Sequence, residues 1–149
     1  MGKLCVECGK REMVYKNVKG STDFAYKDFP SVKLETDLEL LVCDNCGNIG
    51  VMANETQKVD EALIFSIKKQ SKHLIETILA KYGCEQKQLA SHIGITPEHL
   101  SQIKNGKMVP SYQTFNFLKT IAMEKKAFEI SSPDISFKND FKIAMNSKL

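Results

Sequence analysis

Two Cys-x-x-Cys-Gly motifs, with 34 residues between Cys8 of the first and Cys43 of the second, limit what the first part of this chain can fold into. The cysteine pairs are Cys5 with Cys8 and Cys43 with Cys46, and a glycine directly follows each pair. A two-residue spacing lets both sulfurs of a pair reach one metal ion at about 2.3 Å, and two such pairs complete a tetrahedron. The glycines permit a left-handed backbone that aims N–H groups at the sulfurs. The spacing therefore predicts that the two motifs meet at one metal site.

Four thiolates are a ligand set typical of structural Zn2+. We expect one Zn2+ per chain, with no coordination position left open for a substrate. A segment of about 50 residues buries little apolar surface, so the metal has to supply part of its stability. The alternative is two redox pairs, although neither lies in the βαβ pattern typical of such motifs. The fifth cysteine, Cys84, is predicted to be a small buried hydrophobic side chain.

The residues between the two motifs have the pattern of β-strands. Val32–Leu40 alternates apolar and charged side chains, which predicts a half-buried antiparallel strand. Residues 13–18 and 22–26 predict two further strands. The first 53 residues are thus predicted to form a small antiparallel β zinc-binding domain.

An amphipathic helix is predicted over residues 54–70, because apolar side chains recur there at every fourth position without proline or glycine. The helical period continues from Leu74 with a shifted phase. We therefore expect a break near Gln70–Ser71, and the first helix is assigned as a linker.

Residues 71–130 are predicted to form an all-α DNA-binding domain, and residues 131–149 a C-terminal tail. The tail contains proline and loosely alternating apolar residues, which do not decide between strand, helix and irregular structure. The predicted fold class is α+β: the β zinc-binding domain, the linker helix, and then a lambda-repressor-like helix-turn-helix domain.

The helix-turn-helix prediction rests on residues 86–105, QKQLASHIGITPEHLSQIKN. Gly94 lies where the chain must turn with a positive φ. Thr96 can cap the second helix, and Pro97 stands at its first position, where no N–H is needed. The predicted inner face consists of Leu89, Ala90, Ile93, Ile95, Leu100 and Ile103. An ordinary pair of bundle helices is the alternative interpretation.

The second helix of this motif leaves a polar outer face, as a helix that enters the DNA major groove requires. Arg11 is the only arginine in the chain, so arginine–guanine contacts are not available to that helix. Gln102 is the best candidate for reading a base, because its amide can bond two positions on adenine. DNA repels the Glu98 carboxylate unless that carboxylate accepts a hydrogen bond from cytosine N4. The predicted DNA-binding residues are Gln86, Thr96, Pro97, Glu98, His99, Ser101, Gln102, Lys104, Asn105 and Lys107.

Charge is unevenly distributed along the chain, whose formal net charge is +3. Residues 1–52 hold seven basic and eight acidic side chains, which gives −1, and residues 53–149 hold fourteen and ten, which gives +4. The cationic part is thus the one that contains the predicted helix-turn-helix, as phosphate binding requires. No apolar run reaches membrane-spanning length and no leader is evident, so a cytoplasmic location without membrane contact is expected.

Residues 72–124 resemble the Xre/lambda-repressor type of helix-turn-helix domain. Together with the two cysteine motifs and the linker helix, residues 3–124 resemble the MqsA (YgiT-type) antitoxin family. The resemblance implies a homodimer that represses its own operon from a palindromic operator and binds a ribonuclease toxin through its zinc domain. It also implies that the four motif cysteines are the zinc ligands and that residues 97–104 are the recognition helix. Glu98 and Gln102 depart from the family pattern, so the operator sequence does not follow from it.

Three functions remain open at this stage. The first is an antitoxin-type transcriptional repressor with a toxin partner. The second is a stand-alone regulator from a phage or mobile element, with a structural zinc domain and no toxin. The third, an enzyme with a zinc centre, lacks an open coordination site and an acid–base constellation, so the chain is predicted not to be an enzyme.

Overall fold

The computed structural model describes residues 2–124 and has an α+β fold, which confirms the predicted fold class. The chain divides between Lys69 and Gln70 into two compact units, here called the N-terminal unit and the C-terminal unit. The elements in chain order are β1 (Met13–Asn17), β2 (Phe24–Tyr26), β3 (Phe29–Val32), β4 (Glu39–Cys43), β5 (Ile49–Gly50), α1 (Thr56–Tyr82), α2 (Gln86–Ile93), α3 (Pro97–Lys104) and α4 (Tyr112–Met123). A short 3-10 turn over Ala53–Glu55 precedes α1.

The N-terminal unit contains two small antiparallel sheets. In the first, β4 is central and pairs with β1 on one side and β5 on the other. Its register places Met13 opposite Cys43 and Leu41 opposite Gly50. In the second, β2 and β3 form a hairpin with Phe24 opposite Val32. The strands predicted near residues 13–18 and 22–26 are therefore present as β1 and β2.

The long strand predicted over Val32–Leu40 is wrong, because residues 33–38 are not in a strand. The backbone groups of this stretch are bonded to other parts of the unit. The Leu34 N–H donates to the carbonyl of Ser21 at 2.9 Å, and the Glu35 N–H donates to the Ser66 hydroxyl at 2.9 Å. The alternation in burial nevertheless holds. The buried side chains of the stretch are Val32, Leu34, Leu38 and Leu40.

The helix α1 runs from Thr56 to Tyr82 without interruption, so the break predicted near Gln70–Ser71 is also wrong. Ser66 and Ser71 are fully buried and continue the buried stripe across the position where the apolar pattern lapses. The Ser66 hydroxyl donates to the carbonyl of Ala62 at 2.7 Å, so the helix itself satisfies it. The buried positions of α1 are Val59, Ala62, Leu63, Ser66, Ile67, Ser71, Ile75 and Ile78.

In the described residues of the C-terminal unit, the second part of α1 and α2, α3 and α4 share an apolar core. Its buried members are Ile75, Ile78, Leu89, Ala90, Leu100, Ile103, Leu118 and Ile121. Ser111 caps α4 by accepting a hydrogen bond from the Thr114 N–H at 3.2 Å, as its position before an apolar run predicts. Cys84 is half-buried and packs against this core.

The tail predicted over residues 131–149, and the last residues of the predicted domain 71–130, lie outside the described part of the chain. Within residues 2–124, no helix is long and apolar enough to cross a membrane.

Candidate metal centre and DNA-binding surface

The pairing of β1 with β4 brings the two cysteine motifs together. Cys5 lies before β1 and Cys43 ends β4, and the bridge between Lys3 and Met13 holds the first motif beside the sheet. The four sulfurs all lie within 4.8 Å of one another. The two motifs that the sequence predicts to share one site therefore do meet.

The two motifs adopt the same turn. Gly9 has φ +72° and Gly47 has φ +76°, so each glycine is in the left-handed region that the sequence predicts. Each glycine N–H donates to the carbonyl of the first cysteine in its motif, at 2.9 Å to Cys5 and 2.8 Å to Cys43. The N–H of each first cysteine donates to the carbonyl five residues later, at 2.8 and 2.9 Å. These repeated bonds fix the sulfurs of both motifs in equivalent positions.

The sulfur positions fit a tetrahedral Zn2+ site. Sγ of Cys5 lies 3.6 Å from Sγ of Cys46, and Sγ of Cys8 lies 3.6 Å from Sγ of Cys43. Zinc–sulfur bonds of about 2.3 Å require sulfurs about 3.8 Å apart in a tetrahedron. Two sulfur pairs lie close to this separation and all four sulfurs lie within 4.8 Å of one another, so the residues present fit the ion as a complete set of four ligands.

Backbone N–H groups and neighbouring thiols shift the cysteine pKa values in opposite directions. The N–H of Cys8 is the main cause that lowers the pKa of Cys5 to about 6, against its burial. The N–H of Lys10 similarly lowers the pKa of Cys8. The N–H of Asn48 lowers the pKa of Cys46, but burial and the other three thiols outweigh it and raise that pKa to about 12. The four sulfurs therefore do not all ionise readily by themselves, whereas a divalent cation favours four thiolates.

Two asparagines that no motif in the sequence indicates support this centre. Nδ2 of Asn48 lies 3.9 Å from Sγ of Cys5. The side chain of Asn45 bonds Cys8 and accepts a hydrogen bond from Nζ of Lys10 at 2.8 Å. Groups that donate to ligands orient them and reduce their charge. The only signal in the sequence was the presence of amide side chains inside and just after the second motif.

The turn between α2 and α3 has the geometry that residues 86–105 predict. Gly94 has φ +79° and ends α2. The hydroxyl of Thr96 accepts a hydrogen bond from the His99 N–H at 3.1 Å and caps α3. Pro97 stands at the first helical position. Leu100 faces the core and is fully buried, so the opposite side of α3 faces solvent.

The structure places the predicted DNA-binding residues on α3, on the residues flanking it and at the start of α2. The exposed ones are Thr96, Pro97, Glu98, Gln102, Asn105 and Lys107. The half-buried ones are Gln86, His99, Ser101 and Lys104. Gln86 stands apart from the others in the chain, at the first position of α2.

Two hydrogen bonds order the end of α3. Nδ2 of Asn105 donates to the Ser101 hydroxyl at 3.3 Å, a contact for which the sequence carries no signal. The Lys107 N–H donates to the carbonyl of Gln102 at 2.9 Å and holds the following loop against the helix. The Ser101 hydroxyl accepts from Asn105 and keeps its own hydrogen for another acceptor.

Charge on this surface is mixed. Lys104 and Lys107 place cations at the end of α3, while the Glu98 carboxylate lies in its first turn. Glu85 precedes Gln86 at the N-terminus of α2 and is exposed. A phosphate that approaches α2 therefore meets one carboxylate beside the helix N-terminus.

Residues 73–124 match the family described as "Helix-turn-helix domain". The matched range begins within α1 and ends just after α4. The C-terminal unit contains a helix-turn-helix domain. This assignment indicates a DNA-binding transcription regulator that binds double-stranded DNA. Comparison with curated proteins finds no match, and comparison with solved structures finds none either.

Proposed function

We propose that this protein is a sequence-specific transcriptional repressor that reads DNA with the outer face of α3. One observation carries the proposal: α3 buries Leu100 and Ile103 completely and leaves Glu98, Gln102 and Asn105 exposed. A short helix that is anchored on one side and polar on the other fits the major groove. It also lies within residues 53–149, the part of the chain with the net positive charge.

The proposed contacts fall into two classes. Gln102 reads a base, and Ser101 and Asn105 assist it as a hydrogen-bonded pair. Lys104 and Lys107 bind phosphates, as does Gln86 at the start of α2. Glu98 accepts from cytosine N4 where the site has one. Thr96, Pro97 and His99 complete the contact surface at the start of α3.

We propose that the repressor binds as a homodimer to a palindromic operator. A single recognition helix contacts few base pairs, and two half-sites supply the rest. The test is selection of binding sites from random duplexes by the full chain. The expected result is a palindrome whose half-site centres lie about one helical turn apart, 10–10.5 base pairs. If the selected duplexes share no sequence motif that the starting pool lacks, sequence-specific binding is refuted.

We propose that Cys5, Cys8, Cys43 and Cys46 hold one structural Zn2+ in the N-terminal unit. The 3.6 Å sulfur separations and the paired turns support this role. The four cysteines fill a tetrahedron, so the site has no position for a substrate, and a catalytic role is not proposed. Metal analysis of the purified full chain tests the proposal: one zinc per chain is expected, and its absence from reduced protein would refute it.

We further propose that the protein is the antitoxin of a type II toxin–antitoxin pair of the MqsA kind. In this role the N-terminal unit binds and neutralises a ribonuclease toxin. The support is the resemblance of the cysteine motifs and helix-turn-helix to that family, together with the separate N-terminal unit. Co-purification with the product of the adjacent reading frame is the test. A complex that also restores growth supports an antitoxin, and failure to form one favours a stand-alone regulator.

A further inference from the structure

The four motif cysteines differ sharply in their access to solvent. Cys5 and Cys43 are each 1% exposed, and Cys8 is half-buried. Cys46 is exposed. A reagent that arrives from solution therefore reaches Cys46 before the other three ligands. This asymmetry is not required for binding a cation, because a structural site functions with all its ligands buried.

Cys46 also lines an open cleft of about 450 Å³, together with Glu7, Asp23, Gly47, Asn48 and Ile49. The two carboxylates give its rim negative charge. A small uncharged oxidant enters such a cleft without electrostatic penalty. An anionic oxidant such as glutathione disulfide is repelled by the same carboxylates. The cleft thus favours peroxide over charged disulfides.

Cys5 is the thiol that lies beside Cys46 and could form a disulfide with it. Its Sγ lies 3.6 Å from Sγ of Cys46, although the two residues are 41 positions apart in sequence. A disulfide has a sulfur–sulfur bond of about 2.05 Å, so the pair needs a shift of only about 1.6 Å to form one. Reactive redox cysteines are accessible and stand beside a second cysteine that resolves the first oxidation product.

We propose that Cys46 is a modification site for hydrogen peroxide and that Cys5 resolves it as a disulfide between the two motifs. The inference rests on the proposed zinc centre, which supplies both cysteines as thiolates. The Cys46 thiolate attacks one peroxide oxygen, the O–O bond breaks, and a sulfenic acid and hydroxide form. The Cys5 thiolate then attacks the Cys46 sulfur and expels a second hydroxide. Two thiolates lose two electrons, and one peroxide is reduced to two hydroxides, which solvent protonates to water.

The disulfide consumes two of the four ligands, so the centre no longer has the donors to retain the cation. One modification thereby couples peroxide exposure to loss of the element that stabilises the N-terminal unit. The partner that this unit binds, a toxin under the proposed function, would be released with it.

The experiment treats the zinc-loaded full chain with one equivalent of hydrogen peroxide and then blocks free thiols. Zinc release is followed with a chromophoric chelator, and disulfides are mapped by mass spectrometry. Cleavage after Glu7 separates Cys5 from Cys8, and cleavage before Asp44 separates Cys43 from Cys46, so every pairing is distinguishable. The expected result is loss of two of the five free thiols, release of the zinc and a Cys5–Cys46 disulfide as the main product.

Matched variants separate this route from other thiol oxidation. Cys8→Ser and Cys46→Ser each remove one ligand, but only the second removes the proposed reactive sulfur. The first should still form the Cys5–Cys46 disulfide, and the second should not. Cys84→Ser should behave like the parent chain. Equal rates with oxidised glutathione, or a main product that pairs cysteines within one motif, would overturn the inference. A reduced chain that never holds zinc would instead refute the zinc centre.

Discussion

The hydroxyl of Tyr82 donates a hydrogen bond to the backbone carbonyl of Ile121 over 3.3 Å. It thereby joins the last residue of α1 to the end of α4, 39 positions away. Nζ of Lys81 donates to the carbonyls of Ala122 and Glu124 beside it. The last carbonyls of a helix have no partner within the helix, so these two side chains supply hydrogen bonds at the end of α4, where the Glu124 N–H also donates to Ile121 at 3.3 Å.

We expect Tyr82→Phe to lower the free energy of unfolding of the C-terminal unit by about 1 kcal/mol, because it removes one hydrogen bond and keeps the ring. Amide hydrogen exchange should increase mainly in the last turn of α4. Urea unfolding and exchange measurements on the same sample check this. An unchanged exchange rate at the end of α4 would contradict the assigned role of Tyr82.

Thr96→Ala should destabilise the C-terminal unit by about 1 kcal/mol, since it removes the cap of α3. Ser111→Ala is the matched control, because it removes the equivalent cap of α4. Both variants should lose similar stability in thermal unfolding. Only Thr96→Ala should also weaken DNA binding, because α3 is the proposed reading helix. Equal effects of the two variants on DNA affinity would argue against that role.

Features that depend on neighbouring residues could be predicted from the sequence, whereas features that depend on distant residues could not. The turn around Gly94 and the cap at Thr96 depend on residues a few positions apart, and both were predicted correctly. The two wrong predictions depend on distant residues. Residues 33–38 are not in a strand because Leu34 and Glu35 bond Ser21 and Ser66 instead. In α1 the buried Ser66 and Ser71 continue the inner face where the apolar pattern lapses, and a sequence pattern of apolar residues misses them. Spacing alone predicted the cysteine cluster, whereas the approach of Asn48 to Cys5 depends on the turn geometry.

Gln102→Ala should reduce the preference for the operator, at a cost of roughly 1–3 kcal/mol at the cognate site and little on random DNA. Lys107→Ala should weaken binding to operator and random DNA alike. It should also reduce the slope of log affinity against log salt concentration by about one. Fluorescence anisotropy at several salt concentrations measures both quantities. If Gln102→Ala lost equal affinity on both DNAs, Gln102 would be a backbone contact only.

Removal of zinc by a chelator should unfold the β-sheets of the N-terminal unit and leave α2, α3 and α4 folded. The cysteine cluster packs with Met13 and Leu41 of the first sheet, whereas the buried core of the C-terminal unit begins at Ile75. Amide NMR spectra before and after chelation check this. The amide signal of Leu41 should move to its random-coil position, and those of Leu89 and Leu118 should keep their folded positions. Simultaneous loss of all signals would show that one cooperative unit spans both parts of the chain.

His92 should make the stability of the C-terminal unit depend on pH. Burial lowers the pKa of His92 below its ordinary value of 6.5, and its ring lies 6.2 Å from that of Phe117. Well above pH 6.5 both the folded and the unfolded states are neutral at this residue, so it contributes no pH dependence there. As the pH falls below 6.5, the unfolded state binds the proton first, and the free energy of unfolding therefore decreases.

The decrease should stop once the pH is below the folded pKa, because both states then carry the proton. The zinc centre also responds to acid, so the imidazole itself has to be followed, by NMR titration of its ring protons. Its midpoint should lie below 6.5 in the folded chain. His92→Phe keeps an aromatic ring near Phe117 and should remove this part of the pH dependence. A midpoint at or above 6.5 would mean that the charged imidazole is not disfavoured in the fold.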